Sequence, residues 1–137
     1  MSKPLKLYSS IGVPNPPKVA IILEELQLPY STSLLDFPSM KQDPYTSINP
    51  NGRVPALQDP NTGITVWESS ACIEYLLDTY DRDNTLRYTD GPELYLQKSW
   101  MALQVSGQGL YYGQRTWFLR HHPEKNIKSA IDRYGNE

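Results

Sequence analysis

Apolar positions recur along the chain at two periods, and the switches between them outline its elements. Leu5-Lys6-Leu7-Tyr8-Ser9 alternates at period two, the mark of a strand. Ser10 to Pro14 reads as a loop. Asn15 is a favoured N-cap residue and Pro16-Pro17 suit the first helical positions. Val19, Ile22, Leu23 and Leu26 then fall at i, i+3, i+4 and i+7, one face of a helix. Pro29 ends it, and Tyr30 to Asp36 is a second strand. Ser39 to Ser47 carries a short helix signal. Val54 to Gln58 is a third strand, Asp59-Pro60-Asn61-Thr62-Gly63 a hairpin loop, and Ile64 to Trp67 a fourth strand. Ala71, Tyr75 and Leu76, with Cys72 and Ile73 beside them, mark a helix ending near Tyr80.

Beyond the polar linker Asp81 to Thr85, the period is helical throughout. After Gly91-Pro92, Leu96, Trp100, Leu103, Leu110 and Tyr111 are spaced for one face of a long helix. Gly107 and Gly109 inside it could bend it or let something pack closely. His121-His122-Pro123 breaks the chain, and Ile127 to Tyr134 starts another helix, with Gly135 placed as a C-cap. The order βαβ, α, ββα is that of an α/β thioredoxin-like domain over residues 1–82, followed by an incomplete all-α domain over residues 90–137. The helices of that second part carry apolar faces with few partners of their own.

Composition narrows the classes of function. The 137 residues allow one domain, or one and part of another. The 13 Lys and Arg are scattered and outnumbered by 15 Asp and Glu, which argues against nucleic acid as a partner. No apolar run is long enough to span a membrane. Met1-Ser2-Lys3-Pro4-Leu5-Lys6 has no apolar targeting region, and the one cysteine, Cys72, fits a reducing compartment; both favour the cytosol. Two adjacent histidines give no metal-ligand set.

The chemistry concentrates around the third and fourth strands. Asn49-Pro50 and Asn51-Gly52 are turn dipeptides, so Asn49 to Gly52 is a tight loop. Pro55 cannot donate a ladder hydrogen bond, and X-Pro is the bond that goes cis at low cost. The backbone of Val54, both N–H and C=O, is thereby offered to an extended peptide ligand. Glu68-Ser69-Ser70 precedes a helical run, and a helix start suits a carboxylate. A strand edge and an anion-binding helix start, joined by one hairpin, look like a site for glutathione. A thiol-disulfide oxidoreductase is disfavoured, because no cysteine lies between the first strand and first helix. Cys72, in an apolar helix, reads as inert packing.

Asn-Gly-Arg-Val-Pro-Ala-Leu together with Trp-Glu-Ser-Ser-Ala-Cys-Ile resembles the glutathione-binding core of the glutathione transferases. It is most similar to the fungal branch that includes the nitrogen-regulatory prion-forming protein. The resemblance implies glutathione as co-substrate and a small apolar electrophile as its acceptor. It gives Asn15 the thiol-contacting role, since Pro14-Asn15 matches that branch; on the residues alone Asn15 reads as a helix cap. Pro16 and Pro17 depart from the glycine usual after the asparagine and each remove an N–H from the helix start. The resemblance further implies that Val54 pairs with the cysteinyl backbone and that a cis Pro55 holds that geometry. Glu68 would accept from the γ-glutamyl ammonium, Ser69 would bind its carboxylate, and Arg53 matches the arginine beside Val-Pro. Lys41 falls where a side chain meets the glycine carboxylate, although a solvated surface lysine reads equally well. Ser9 and Ser10 read as solvated loop hydroxyls, and Tyr8 as core.

Tyr111, Tyr112, Arg115 and Trp117 are candidate walls of the electrophile pocket, against the plainer reading of an aromatic set as core. Ala130 to Tyr134 matches the middle of a helix that continues in the family, so the chain covers only part of the family's helical domain. The family's homodimers use the helix after Ser69 and the long helix. Three readings follow: a transferase of detoxification or secondary metabolism, a non-catalytic glutathione-binding or regulatory module, and a partial chain that needs others to complete its fold.

Overall fold

The structure, a computed structural model, describes residues 3–136. Four strands form one sheet in the order β2-β1-β3-β4: β1 (Leu5–Ser9), β2 (Tyr30–Leu34), β3 (Ala56–Asp59) and β4 (Ile64–Trp67). β1 pairs parallel with β2, Leu7 opposite Thr32, and antiparallel with β3, Leu7 opposite Leu57. β3 and β4 make the expected hairpin, Ala56 opposite Trp67 and Asp59 opposite Ile64. Gly63 closes it with φ +76 and an N–H bond of 2.8 Å to the Asp59 carbonyl.

Period-two alternation builds a core on each face of this sheet. Leu5, Leu7 and Leu57 point to one side, where α1 (Asn15–Glu25) supplies Val19 and Leu23, and α2 (Ser69–Tyr80) supplies Cys72 and Leu76. Burying an aliphatic side chain of this size contributes about 1.5–3 kcal/mol, so this cluster is what holds both helices to the sheet. Tyr8 and Ala56 point to the other side and meet Met40 and Tyr45. Those two come from short 3₁₀ turns, Ser39–Lys41 and Tyr45–Ser47, which stand in place of the single helix expected over 39–47. The reason is local: Gln42 is extended (φ -142, ψ 165), and Pro44 removes a donor and disfavours the α region just before it.

Several boundaries differ from the sequence reading. α1 begins at Asn15 itself, after a helical Pro14, and no side chain caps it. With Pro16 and Pro17 next, two of the N–H groups that a capping amide would accept are missing. α1 ends in a Schellman motif on Gln27 (φ 52), with Leu28 N–H on the Leu23 carbonyl and Gln27 N–H on that of Glu24, both 2.9 Å. β2 stops at Leu34, and Asp36 turns instead to accept from the Ser39 N–H at 2.9 Å. β3 starts at Ala56, leaving Val54 and Pro55 before the strand, and takes in Asp59, which the sequence placed in the hairpin loop. Ser10 is buried, not a solvated hydroxyl, while Tyr8 is core as expected, its hydroxyl on Gln58 Oε1 at 2.9 Å.

Cys72 is fully buried, and its Sγ lies 3.6 Å from the Val66 carbonyl oxygen. Burial, with Glu68 as a lesser contributor, pushes its thiol up to about 12. Only the thiolate reacts, so Cys72 in the folded chain should resist iodoacetamide at pH 8. Mass spectrometry should find it modified only after denaturation; rapid native labelling would refute this packing.

The chain divides into two compact units, after Arg87. The expected linker is ordered. Buried Asp81 accepts from the Thr85 N–H (2.8 Å) and hydroxyl (2.9 Å) and from the Leu86 N–H (3.0 Å), and Arg87 pairs with Asp78. The second unit holds α3 (Gly91–Leu103), a π-turn over Gln104–Gln108, α4 (Gly109–Arg120) and α5 (Lys128–Gly135). The irregularity of the long helix thus falls on the stretch with Gly107 and beside Gly109. Gly135 is the last residue of α5, and Asn136, not Gly135, is its C-cap. None of α3, α4 and α5 has a fully buried residue, and Leu96, Trp100, Leu103, Leu110 and Trp117 are exposed.

Candidate glutathione site

The hairpin register assembles the site. Ala56 lies between Tyr8 of β1 and Trp67 of β4, so Val54-Pro55, Glu68-Ser69 and the end of β1 meet at one end of the sheet. The same end feeds the loop that leads into Asn15 and α1.

The loop before β3 is pinned from within. The Arg53 carbonyl accepts two bonds of 2.6 Å, from the Tyr45 hydroxyl and from Asn49 Nδ2. Asn49 is only 1 % exposed, and it also takes the Asn51 N–H on its Oδ1 (3.0 Å) and the Gly52 N–H on its own carbonyl (2.9 Å). Burial pushes the Tyr45 hydroxyl up to about 12, so it stays a donor at neutral pH. Gly52 sits at φ +60, and a Cβ there would meet the Met40 carbonyl oxygen at 2.7 Å, so no other residue fits this turn without a shift. Sequence reasoning took Asn49 as a turn former and missed this clamp. Asn49→Ala should cost about 2 kcal/mol of stability, because the Arg53 carbonyl loses one of its two donors and the turn loses its acceptor. It should also weaken ligand binding at Val54; a melting curve within 1–2 °C of the native one would argue against the clamp.

What the clamp presents is the next peptide. The Val54-Pro55 bond is cis, as the sequence suggested, and Pro55 is buried. Among the described residues, Val54 N–H and C=O have no backbone partner. Arg53 itself is exposed, and Lys41 is an exposed lysine whose Nζ donates to the Asn51 carbonyl at 3.2 Å.

Across the hairpin, Glu68 adopts φ 72, ψ 130, a region costly for any side-chain-bearing residue. Its Oε1 accepts from Asn51 Nδ2 at 2.9 Å, which ties the β3 loop to the start of α2. Ser69, 5 % exposed, opens α2 with the first-turn N–H groups that a helix leaves unpaired. Lys18 of α1 is half-buried and lies near enough to feel Glu68: burial lowers its ammonium pKa and the Glu68 charge partly restores it. Neither Asn51 nor Lys18 was singled out from the sequence. Asn15 is exposed in the first turn of α1.

The four candidate wall residues do not share one surface of α4. The Tyr111 ring meets Tyr134 of α5 edge-on at 5.4 Å, and its hydroxyl accepts from Arg133 at 3.2 Å. Arg115 lies against Gly135, whereas Tyr112 is exposed and Trp117 stacks on His121 at 5.9 Å. Among the described residues, no cluster of His, Cys, Asp and Glu could hold a metal ion.

A mixed four-stranded sheet with α1 and α2 on one face and a cis-proline loop beside a helix start defines a thioredoxin-like domain. Residues 14–79 match the family described as glutathione S-transferase, N-terminal domain. Over that stretch the chain carries the N-terminal domain of the glutathione S-transferases, and it is similar to fungal glutathione S-transferase-like proteins and URE2 proteins. It is 48% identical over 136 residues to the glutathione S-transferase-like protein tpcF of Aspergillus fumigatus, a match covering 98% of this chain and 60% of that protein. The crystal structure of the glutathione transferase URE2P6 from Phanerochaete chrysosporium, in complex with oxidized glutathione, superposes with a TM-score of 0.91. That match has 49% identity and covers 98% of this chain and 62% of the other. Protein URE2 of Meyerozyma guilliermondii is 42% identical over 137 residues, covering 96% of this chain and 45% of that protein. The chain therefore spans about 60% of the length of the transferases it matches.

Proposed function

We propose that the chain binds glutathione at the junction of the 49–55 loop with the start of α2 and transfers its thiol to a small apolar electrophile. The observation that carries this reading is the Val54 peptide, unpaired on both its N–H and C=O and held by two donors on the Arg53 carbonyl. In this reading Val54 pairs with the cysteinyl residue, Glu68 takes the γ-glutamyl ammonium, and Ser69 takes the adjoining carboxylate. Arg53 and Lys41 serve the glycine end. Asn15 donates its amide to the thiolate, and catalysis comes from proximity and a lowered thiol pKa. Tyr112 and Trp117, the wall candidates not turned to α5, would meet the electrophile. Relatives of known structure are in complex with oxidized glutathione or glutathione, which supports glutathione as the ligand here. A cytosolic homodimer serving detoxification or secondary metabolism completes the proposal.

Titration of the chain with glutathione by calorimetry tests the site, and conjugation of a chlorodinitrobenzene tests the reaction. Asn15→Ala should keep glutathione affinity and lose roughly 10- to 100-fold in turnover, the worth of one donor to a charged sulfur. Turnover equal to the native chain would remove Asn15 from the mechanism. A second reading, a glutathione-binding module without turnover, is favoured by Pro16 and Pro17, which take two N–H donors from the start of α1. Saturable binding with no conjugation above the solution rate would decide for it.

A further inference from the structure

Asn51 stands at the centre of three bonds that no turn requires together. Its N–H donates to Asn49 Oδ1 at 3.0 Å, its carbonyl accepts from Lys41 Nζ at 3.2 Å, and its Nδ2 donates to Glu68 Oε1 at 2.9 Å. The last bond joins residues 17 apart in sequence, across the whole β3-β4 hairpin. Its backbone is fixed by a nearly fully buried partner, Asn49, so its amide is delivered from a rigid base.

We propose that Asn51 is the positioning residue of the glutathione site, aiming the Glu68 carboxylate at the ligand's γ-glutamyl ammonium while holding Lys41 at the glycine end. This deepens the glutathione reading and rests on it. Glu68 is the N-cap residue of α2, yet its side chain makes no cap bond; the Lys18 charge acts on it, and Asn51 fixes which of its oxygens is occupied. A donor on Oε1 takes one oxygen and one orientation, leaving Oε2 for a second cationic donor. A carboxylate has room for both. Because Asn51 also accepts from Lys41, one residue sets the spacing of the two charges that would read the two ends of the tripeptide.

The test uses calorimetry on the 137-residue chain with glutathione and with N-acetylglutathione, whose ammonium is blocked. The native chain should prefer glutathione. Asn51→Ala should shrink that preference by about 10-fold, because the loss falls on the ammonium contact and not on the rest of the ligand. Asn51→Leu keeps the size and removes the same donor without adding a charge, and it should shrink the preference as far. A purely structural role would weaken both ligands alike in both variants and leave the ratio unchanged, which would overturn the proposal. If the native chain shows no saturable binding, the glutathione reading fails and this one with it. If the native chain binds and only the ratio fails to move, Asn51 alone is rejected.

Discussion

Asp59→Ala should destabilise the first unit by about 3–4 kcal/mol, the cost of taking a buried acceptor from four part-buried hydrogen bonds at once. Asp59 is 2 % exposed at the end of β3. Its Oδ2 accepts from the Tyr75 hydroxyl at 2.6 Å and from the Tyr80 hydroxyl, and its Oδ1 from the Asn61 N–H (2.8 Å) and Nδ2 (2.9 Å). One carboxylate thus ties the hairpin to both ends of the second half of α2. Burial pushes its pKa up, but these four bonds outweigh it and leave the carboxyl below its usual range. A folded pKa below the unfolded value gives stability that is fully present above about pH 3.9 and is lost as pH falls through the folded value. Thermal unfolding followed by circular dichroism should therefore show a wide gap between native and Asp59→Ala chains at pH 7. That gap should narrow below pH 4. A gap that is constant down to pH 3 would mean that the carboxylate charge is not what the network uses. Tyr80 carries the opposite sign: burial, then its bond to Asp59, push its hydroxyl up to about 12, so its share of stability is intact below pH 10 and lost as pH rises towards 12.

Ser69→Ala and Glu68→Ala should each weaken glutathione binding by roughly 10- to 100-fold, since each removes a hydrogen bond to a charged group of the ligand. Melting temperatures should hardly move in Ser69→Ala, whose hydroxyl makes no hydrogen bond among the described residues. Glu68→Gly separates the two demands on that position. Glycine tolerates positive φ, so the variant should melt no earlier than the native chain even as it loses the carboxylate. Loss of affinity with preserved or raised stability would mark Glu68 as a residue kept for its ligand at a cost to the fold. Calorimetric affinities unchanged in both alanine variants would reject the site.

The order of elements along the chain and the place of the candidate site were legible because they ride on strong local signals. Two prolines, two turn dipeptides and a Glu-Ser pair before a helical run are read directly from neighbours in the chain. The clamp on the Arg53 carbonyl was not, because Tyr45 and Asn49 reach it through the fold and leave no periodic trace. Asp59 and Asp81 were read as loop and linker residues from their polarity. Both are buried acceptors, and only the donors around them, distant or non-periodic, reveal it. The segment 39–47 misled for another reason: its short helix signal is divided at Pro44 into two turns, which still bury Met40 and Tyr45.

The π-turn over Gln104–Gln108 also changes how the long helix keeps count. A π-turn houses about one residue more than a regular turn, so everything after it is set back by about 100° around the axis. On a straight helix Leu110 would stand almost directly above Leu103. With the extra residue absorbed, it is Tyr111 that inherits that line, followed by Arg115 and Phe118, the very side that α4 turns to α5. The helix therefore works as a phase shifter: one residue more or less within 104–108 would re-index which aromatic rings face α5 and which face outward, with no change in any ring itself.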